Sequence, residues 1–191
     1  ELAETLSLSA KGRRAEIILA VTGRSNLRSE YSGSALLKSS LIAIIYTPDE
    51  EKLCRLIKHE LGHIFGAVHV PEPGSVMSCF GGGDNFDRYN LEIIKLARER
   101  SFEPSVFPFP AEVQTSLEKV YLQIREKILG DSRLKSLFSA SMTAEAGEEV
   151  QCLNDVFLML AQLELEKNNY DRSLSFIEEA LIINPGDLDA M

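Results

Sequence analysis

Tryptophan is absent from the 191 residues, and histidine and cysteine occur only three times each. Three cysteines, at positions 54, 79 and 152, cannot build a disulfide framework, and none lies in a CxxC pair. Long hydrophobic runs are missing as well. The longest apolar stretch near the centre, Leu41 to Tyr46, is far too short to cross a bilayer, so no membrane span is expected. A basic surplus is also lacking. Twenty Lys and Arg stand against 29 Asp and Glu, a net charge of −9, which excludes a generally basic nucleic-acid binder and leaves room only for a local patch. The chain opens on Glu1 with no apolar core behind a basic region. That start reads as an excision or processing point, so localisation stays open.

A hydrophobic content of 45% is ordinary for a globular chain and argues against wholesale disorder. The charge is unevenly spread. Residues 1–100 carry 13 acids and 13 bases, whereas residues 101–191 carry 16 acids and 7 bases, which suggests two parts with different tasks. In the first part, Ala15–Thr22 and Leu41–Tyr46 read as strands, with a short edge strand around Ala35–Leu37 between them. Asp49–Phe65 has apolar residues at helical spacing, and Gly66 is placed to end that helix in the left-handed conformation. Asp84 reads as the N-cap of a helix reaching about Arg100, with Asp87 three residues on. Residues 103–110 belong to a proline-rich stretch that reads as a stiff linker between residues 1–102 and residues 111–191. Beyond it, Ala111–Leu129, Ser132–Ala140, Glu145–Lys167 and Asp171–Ile183 read as helices, an α+β chain followed by an all-α region.

The chemistry is concentrated in His59-Glu60-Leu61-Gly62-His63-Ile64-Phe65-Gly66-Ala67-Val68-His69. On a helix, His59 and His63 are i and i+4, so both imidazoles leave one face and can bind one ion. Glu60 is rotated away from that pair, so it flanks the metal and can take a proton from a bound water. A helix continuing past Gly66 would carry His69 beyond the site, whereas a reversal at Gly66 returns it as a third ligand. Three nitrogens at a tetrahedral ion leave one position open, the pattern of a catalytic zinc. A bare HExxH is common in unrelated helices. HExxHxxGxxH fixes five positions, and with this composition a chance match is about one in 200,000. The motif also uses every histidine in the chain.

HELGHIFGAVH resembles the zinc-binding signature of the metzincin metallopeptidases, in which a methionine-containing turn passes beneath the metal. Met77, eight residues after His69 in Ser75-Val76-Met77-Ser78, matches that turn. The resemblance implies one catalytic Zn2+ held by His59, His63 and His69, with Glu60 as general base and Met77 as the floor. It implies a catalytic domain of small mixed sheet, zinc helix and C-terminal helix over residues 1–102, either reduced or N-terminally incomplete. It further implies an extended peptide paired to an edge strand near Ala35 and Leu36, with Cys79 and Phe80 walling the pocket beyond the scissile bond. Phe80 stands where astacin-type relatives carry a tyrosine, so no tyrosine ligand is implied there. By its own residue type, Cys79 also reads as a small buried hydrophobe, and Cys54, off the His59 face, reads as core.

Asn154–Asp187 resembles a tetratricopeptide repeat, with Phe157, Leu160, Ala161, Tyr170, Ile177, Ala180 and Pro185 at its large, small and proline positions. Glu164 and Ser173 replace the usual aromatic and alanine. Leu174, Ile177 and Leu181 are expected to line the stripe facing the partner helix. Such pairs bind peptides or proteins, and the acidic surplus here either favours a basic partner or merely solvates the helices. The expected function is therefore a zinc endopeptidase acting on peptides or proteins, with a helical interaction extension. The rival is a catalytically inactive, metal-stabilised interaction module.

Overall fold

The computed structural model describes residues 17–23, 33–36, 41–102, 108–134 and 152–183. Three strands, β1 (Ile18–Thr22), β2 (Gly33–Leu36) and β3 (Leu41–Ile45), form one sheet in the order β1-β3-β2. β1 runs parallel to β3 in the register Ile18 to Leu41, and β2 runs antiparallel to it with Ala35 opposite Ile42. Helix α1 (Glu50–Ile64) follows β3 at once. Its N-cap is Asp49, whose carboxylate accepts from the Lys52 amide at 3.0 Å, with Glu50 and Glu51 in the first turn complementing the dipole. Leu53, Leu56, Ile57, Leu61 and Ile64 of α1 pack with Ala35 over Ile42 and Ile44, which fixes the helix on the sheet.

α1 ends at Phe65, and Gly66 adopts φ +82°, the left-handed position expected of it. Helix α2 (Arg88–Leu96) and a short 3-10 turn, Ala97–Glu99, come next. The N-cap of α2 is Asp87, not Asp84 as the sequence suggested: Asp87 Oδ1 accepts from the Tyr89 and Asn90 amides, both at 3.0 Å. Residues before it are committed elsewhere. The Asn85 carbonyl accepts from the Val76 amide at 2.8 Å, so the chain there is extended and cannot open a helix. Asp84 instead holds Arg55 at 3.0 Å on the surface.

Helix α3 (Ala111–Gly130), a 3-10 turn at Cys152–Asn154, α4 (Asp155–Glu166) and α5 (Tyr170–Ile183) follow, and residues 132–134, where a helix was expected to begin, are helical as well. α3 packs on α2 and on α4, and α4 packs on α5. Apart from the cluster between α1 and the sheet, an apolar core runs from Val68, Met77 and Ile93 through Tyr121 and Ile124 to Phe157 and Phe176. The hydrophobic interior is therefore continuous across the segment that reads as a linker, of which 103–107 lie outside the described residues. Arg125 of α3 holds Glu179 of α5 through two hydrogen bonds, at 2.6 and 2.5 Å.

α4 and α5 form a hairpin turned at Asn168, which takes φ 61°. Ala161 and Ala180 are buried between the helices, and Ser173 donates to the Ala161 carbonyl at 2.9 Å. That bond lies on the buried face of α5. Ser173, Phe176, Ala180 and Ile183 face inward, while Leu174, expected on the facing stripe, is 56% exposed. Glu164 is 1% exposed and keeps its charge because Lys167, Asn169 and Arg172 surround it; burial alone would raise its pKa, but Lys167 and Arg172 bring it below the usual range. Pro185 and residues 135–151 lie outside the described residues. No described helix is long and apolar enough to cross a membrane.

Cysteine usage differs from the expectation in two ways. Cys79 and Cys152 form a disulfide, 73 residues apart, whereas Cys54 is a free, exposed thiol rather than core. Cys54 falls on the side of α1 turned away from Ile42 and Ile44, and Cys79 meets Cys152 only because the helical half folds back on the Met77 segment. Denatured without reductant, the chain is expected to show one reactive thiol, rising to three after reduction. Three thiols before reduction would contradict the pairing. In the chain-entropy picture, closing a loop of this length contributes on the order of 4 kcal/mol.

Candidate metal centre

His59 and His63 leave α1 on the same face, one turn apart, and the reversal at Gly66 brings His69 to them. Their Nε2 atoms lie 3.1 Å apart, and His69 Nε2 lies 3.2 Å from His59 Nε2. The ring centroids are 4.7–5.1 Å from one another. The three ligand atoms fall within 4.8 Å, close enough to hold one metal ion.

Their second nitrogens settle what those close approaches are. His59 Nδ1 donates to the Val76 carbonyl at 2.8 Å, and His63 Nδ1 donates to the Ala67 carbonyl at 2.9 Å. His69 Nδ1 donates to Asp155 Oδ2. A carbonyl and a carboxylate only accept, so each neutral ring carries its proton on Nδ1 and turns a lone pair inward on Nε2. With all three rings neutral, three lone pairs facing one another cannot hydrogen-bond; a cation between them removes the conflict. Two nitrogens on a tetrahedral ion at ordinary zinc distances are about 3.3 Å apart. The two spacings to His59 Nε2 are close to that, and all three ligand atoms lie within 4.8 Å, so the three residues are close enough to hold a metal ion.

Burial favours the neutral rings. It lowers the His59 pKa and pushes His63 down to about 3, with the charge of His69 adding to both effects. In His69, burial works the same way but the Asp155 carboxylate outweighs it, so the ring titrates above its ordinary value. Glu60 is 4% exposed, and burial pushes its carboxyl up to about 7 against the pull of His69. Met77 is fully buried under α1: a Cβ added to Gly62 would meet its Sδ at 3.0 Å. Small size at position 62 is what lets Met77 approach the histidine-bearing turn.

Several supporting groups left no mark in the sequence. Asn90, fully buried, accepts from the Val68 amide at 2.9 Å and donates to the Val68 carbonyl at 3.0 Å, clamping the residue before His69. Ser75 Oγ donates to Asp87 Oδ2 at 2.7 Å and accepts from the Met77 amide at 3.1 Å, tying the methionine segment to the start of α2. Tyr121 of α3 donates to the Gly66 carbonyl at 2.8 Å and so braces the reversal. Backbone acceptors such as Val76 have no side-chain signature, and Asp155 lies 86 residues from the ring it holds.

The other expected site residues are placed as follows. Ala35 sits on β2, an edge of the sheet among the described residues, and its side chain packs toward α1. Leu36 ends the same strand opposite Leu41. Cys79 is taken up by its disulfide, and its amide donates to the Val70 carbonyl at 3.1 Å. Phe80 is exposed.

No family profile matches the chain, and no curated protein or solved structure matches it either.

Proposed function

We propose that the protein is a metzincin-type, zinc-dependent endopeptidase whose helical half also serves protein interaction. One observation carries the reading: three imidazoles, each fixed through Nδ1, turn three Nε2 lone pairs to a common point. Neutral imidazole suits zinc, and three protein ligands leave a position open for water or substrate. When bound, the ion lowers the pKa of its water to about 7 and polarises a carbonyl oxygen.

Glu60, one residue past His59 and therefore off the ligand face, accepts the attacking water's proton and passes it to the leaving amine. The edge of β2, unpaired among the described residues, offers backbone amides and carbonyls to an extended peptide, which gives affinity with little sequence demand. Phe80, exposed just past the methionine turn, is the proposed contact for the residue after the scissile bond. On the helical half, the α4–α5 hairpin presents Leu165, Tyr170, Leu174 and Ile182 outward, a surface suited to a protein partner.

Cleavage of a mixed peptide library by the full chain tests the reading. Cleavage that a chelator abolishes and added zinc restores is expected. A zinc-loaded protein that cuts no peptide would contradict it and leave a metal-stabilised interaction module.

A further inference from the structure

We propose that Asp155 is the positioning residue for His69, so that the helical half of the chain completes the metal centre. The inference rests on metal binding by the three histidines and not on peptide hydrolysis.

The three ligands are not held alike. His59 and His63 are fixed twice, by the rigid turn of α1 and by the carbonyls of Val76 and Ala67, 17 and 4 residues further along the chain. His69 follows the reversal and lies outside any helix, so its ring needs an anchor of its own. Its anchors come from the start of the helical half: the carboxylate of Asp155, the first residue of α4, and the backbone of Cys152 just before it. Acidic residues are common in first helical turns, where the dipole favours them. Asp155 is distinguished by its aim: its Oδ2 faces the His69 ring.

The position of Asp155 is itself fixed from both sides. Leu153, Val156 and Phe157 are fully buried in the core, and Cys152 is cross-linked to Cys79, two residues past Met77. The cross-link thus joins the segment before Asp155 to the segment beneath the histidines. A carboxylate on Nδ1–H does two things for a metal ligand. It locks the tautomer and ring angle, and it makes the coordinating Nε2 more basic. The peptide carbonyls on the other two rings do the first and little of the second.

The test is zinc affinity of the full chain, measured by competition with a chromophoric chelator. Asp155→Ala is expected to weaken zinc binding 10–100-fold, the range seen for such supporting residues. Asp155→Asn, which keeps an acceptor but not the charge, is expected to recover part of that loss. Arg125→Ala, which breaks the α3–α5 pair without touching His69, is expected to leave zinc affinity within 2- to 3-fold of the parent. Equal affinity in Asp155→Ala and the parent would overturn the proposal, as would an equal loss in Arg125→Ala. Should Asp155→Ala not fold, Asp155→Asn decides: a weaker site supports the proposal and an unchanged site overturns it. A parent chain that binds no zinc would overturn the metal reading and this proposal together.

Discussion

Replacing Glu60 with glutamine is expected to leave one zinc per chain while lowering kcat/KM for peptide cleavage by about 10²–10⁴-fold, the usual contribution of a positioned general base. The substitution keeps shape and removes only the ability to accept a proton. Metal content should hold because the three ligands and their anchors, Val76, Ala67 and Asp155, do not include Glu60. Its place on α1 explains the separation of roles: one step along a helix turns a side chain about 100°, away from the face shared by His59 and His63. Metal analysis and single-peptide kinetics on the same preparation check both halves. A Glu60→Gln protein that cleaves as fast as the parent would remove the carboxylate from the mechanism.

Gly66→Ala should be among the most damaging single changes to the fold, although it adds one methyl group. An L-residue held at φ +82° is strained by about 1–2 kcal/mol. The new Cβ would also lie 2.7 Å from Phe109 Cζ and 2.8 Å from the Tyr121 hydroxyl. Both rings are fully buried, and Tyr121 is hydrogen-bonded to the Gly66 carbonyl, so neither can retreat freely. Overpacking of this kind adds about 1–3 kcal/mol. The sum is a large share of the 5–15 kcal/mol typical of a whole domain, roughly 5–15 °C in Tm for a chain of this size. Because Gly66 directs the reversal that returns His69, zinc affinity should fall as well. Gly130→Ala is the control: nothing lies within 4 Å of a Cβ there, and it should change Tm by no more than a few degrees. A Gly66→Ala protein as stable as the parent would contradict the packing described around the turn.

Local chemistry was readable from the chain, and partners distant in sequence were not. His59 and His63 share a face by helical spacing alone, and Gly66 announces the reversal because few other residues end a helix that way. The strands around Ile18, Ala35 and Leu41 and the helix after Asp49 follow from short-range patterns, and the structure has all four. Asp84 misled because it and Asp87 carry the same capping chemistry; only the pairing of Val76 with Asn85 decides between them. Leu174 misled for a similar reason: two apolar stripes compete on α5, and the one buried carries Phe176, Ala180 and Ile183 with the Ser173–Ala161 bond. Asp155, Cys152 and Tyr121 could not be read as parts of the site. Each reaches it from an element dozens of residues away, and nothing in its own neighbourhood marks it.

The most direct test of the account is a zinc titration of metal-free protein with peptide cleavage followed at each addition. Cleavage should rise from nothing in proportion to added zinc and level off at one equivalent per chain. Cleavage that persists in the metal-free protein, or a fully loaded protein that remains inert, would contradict it.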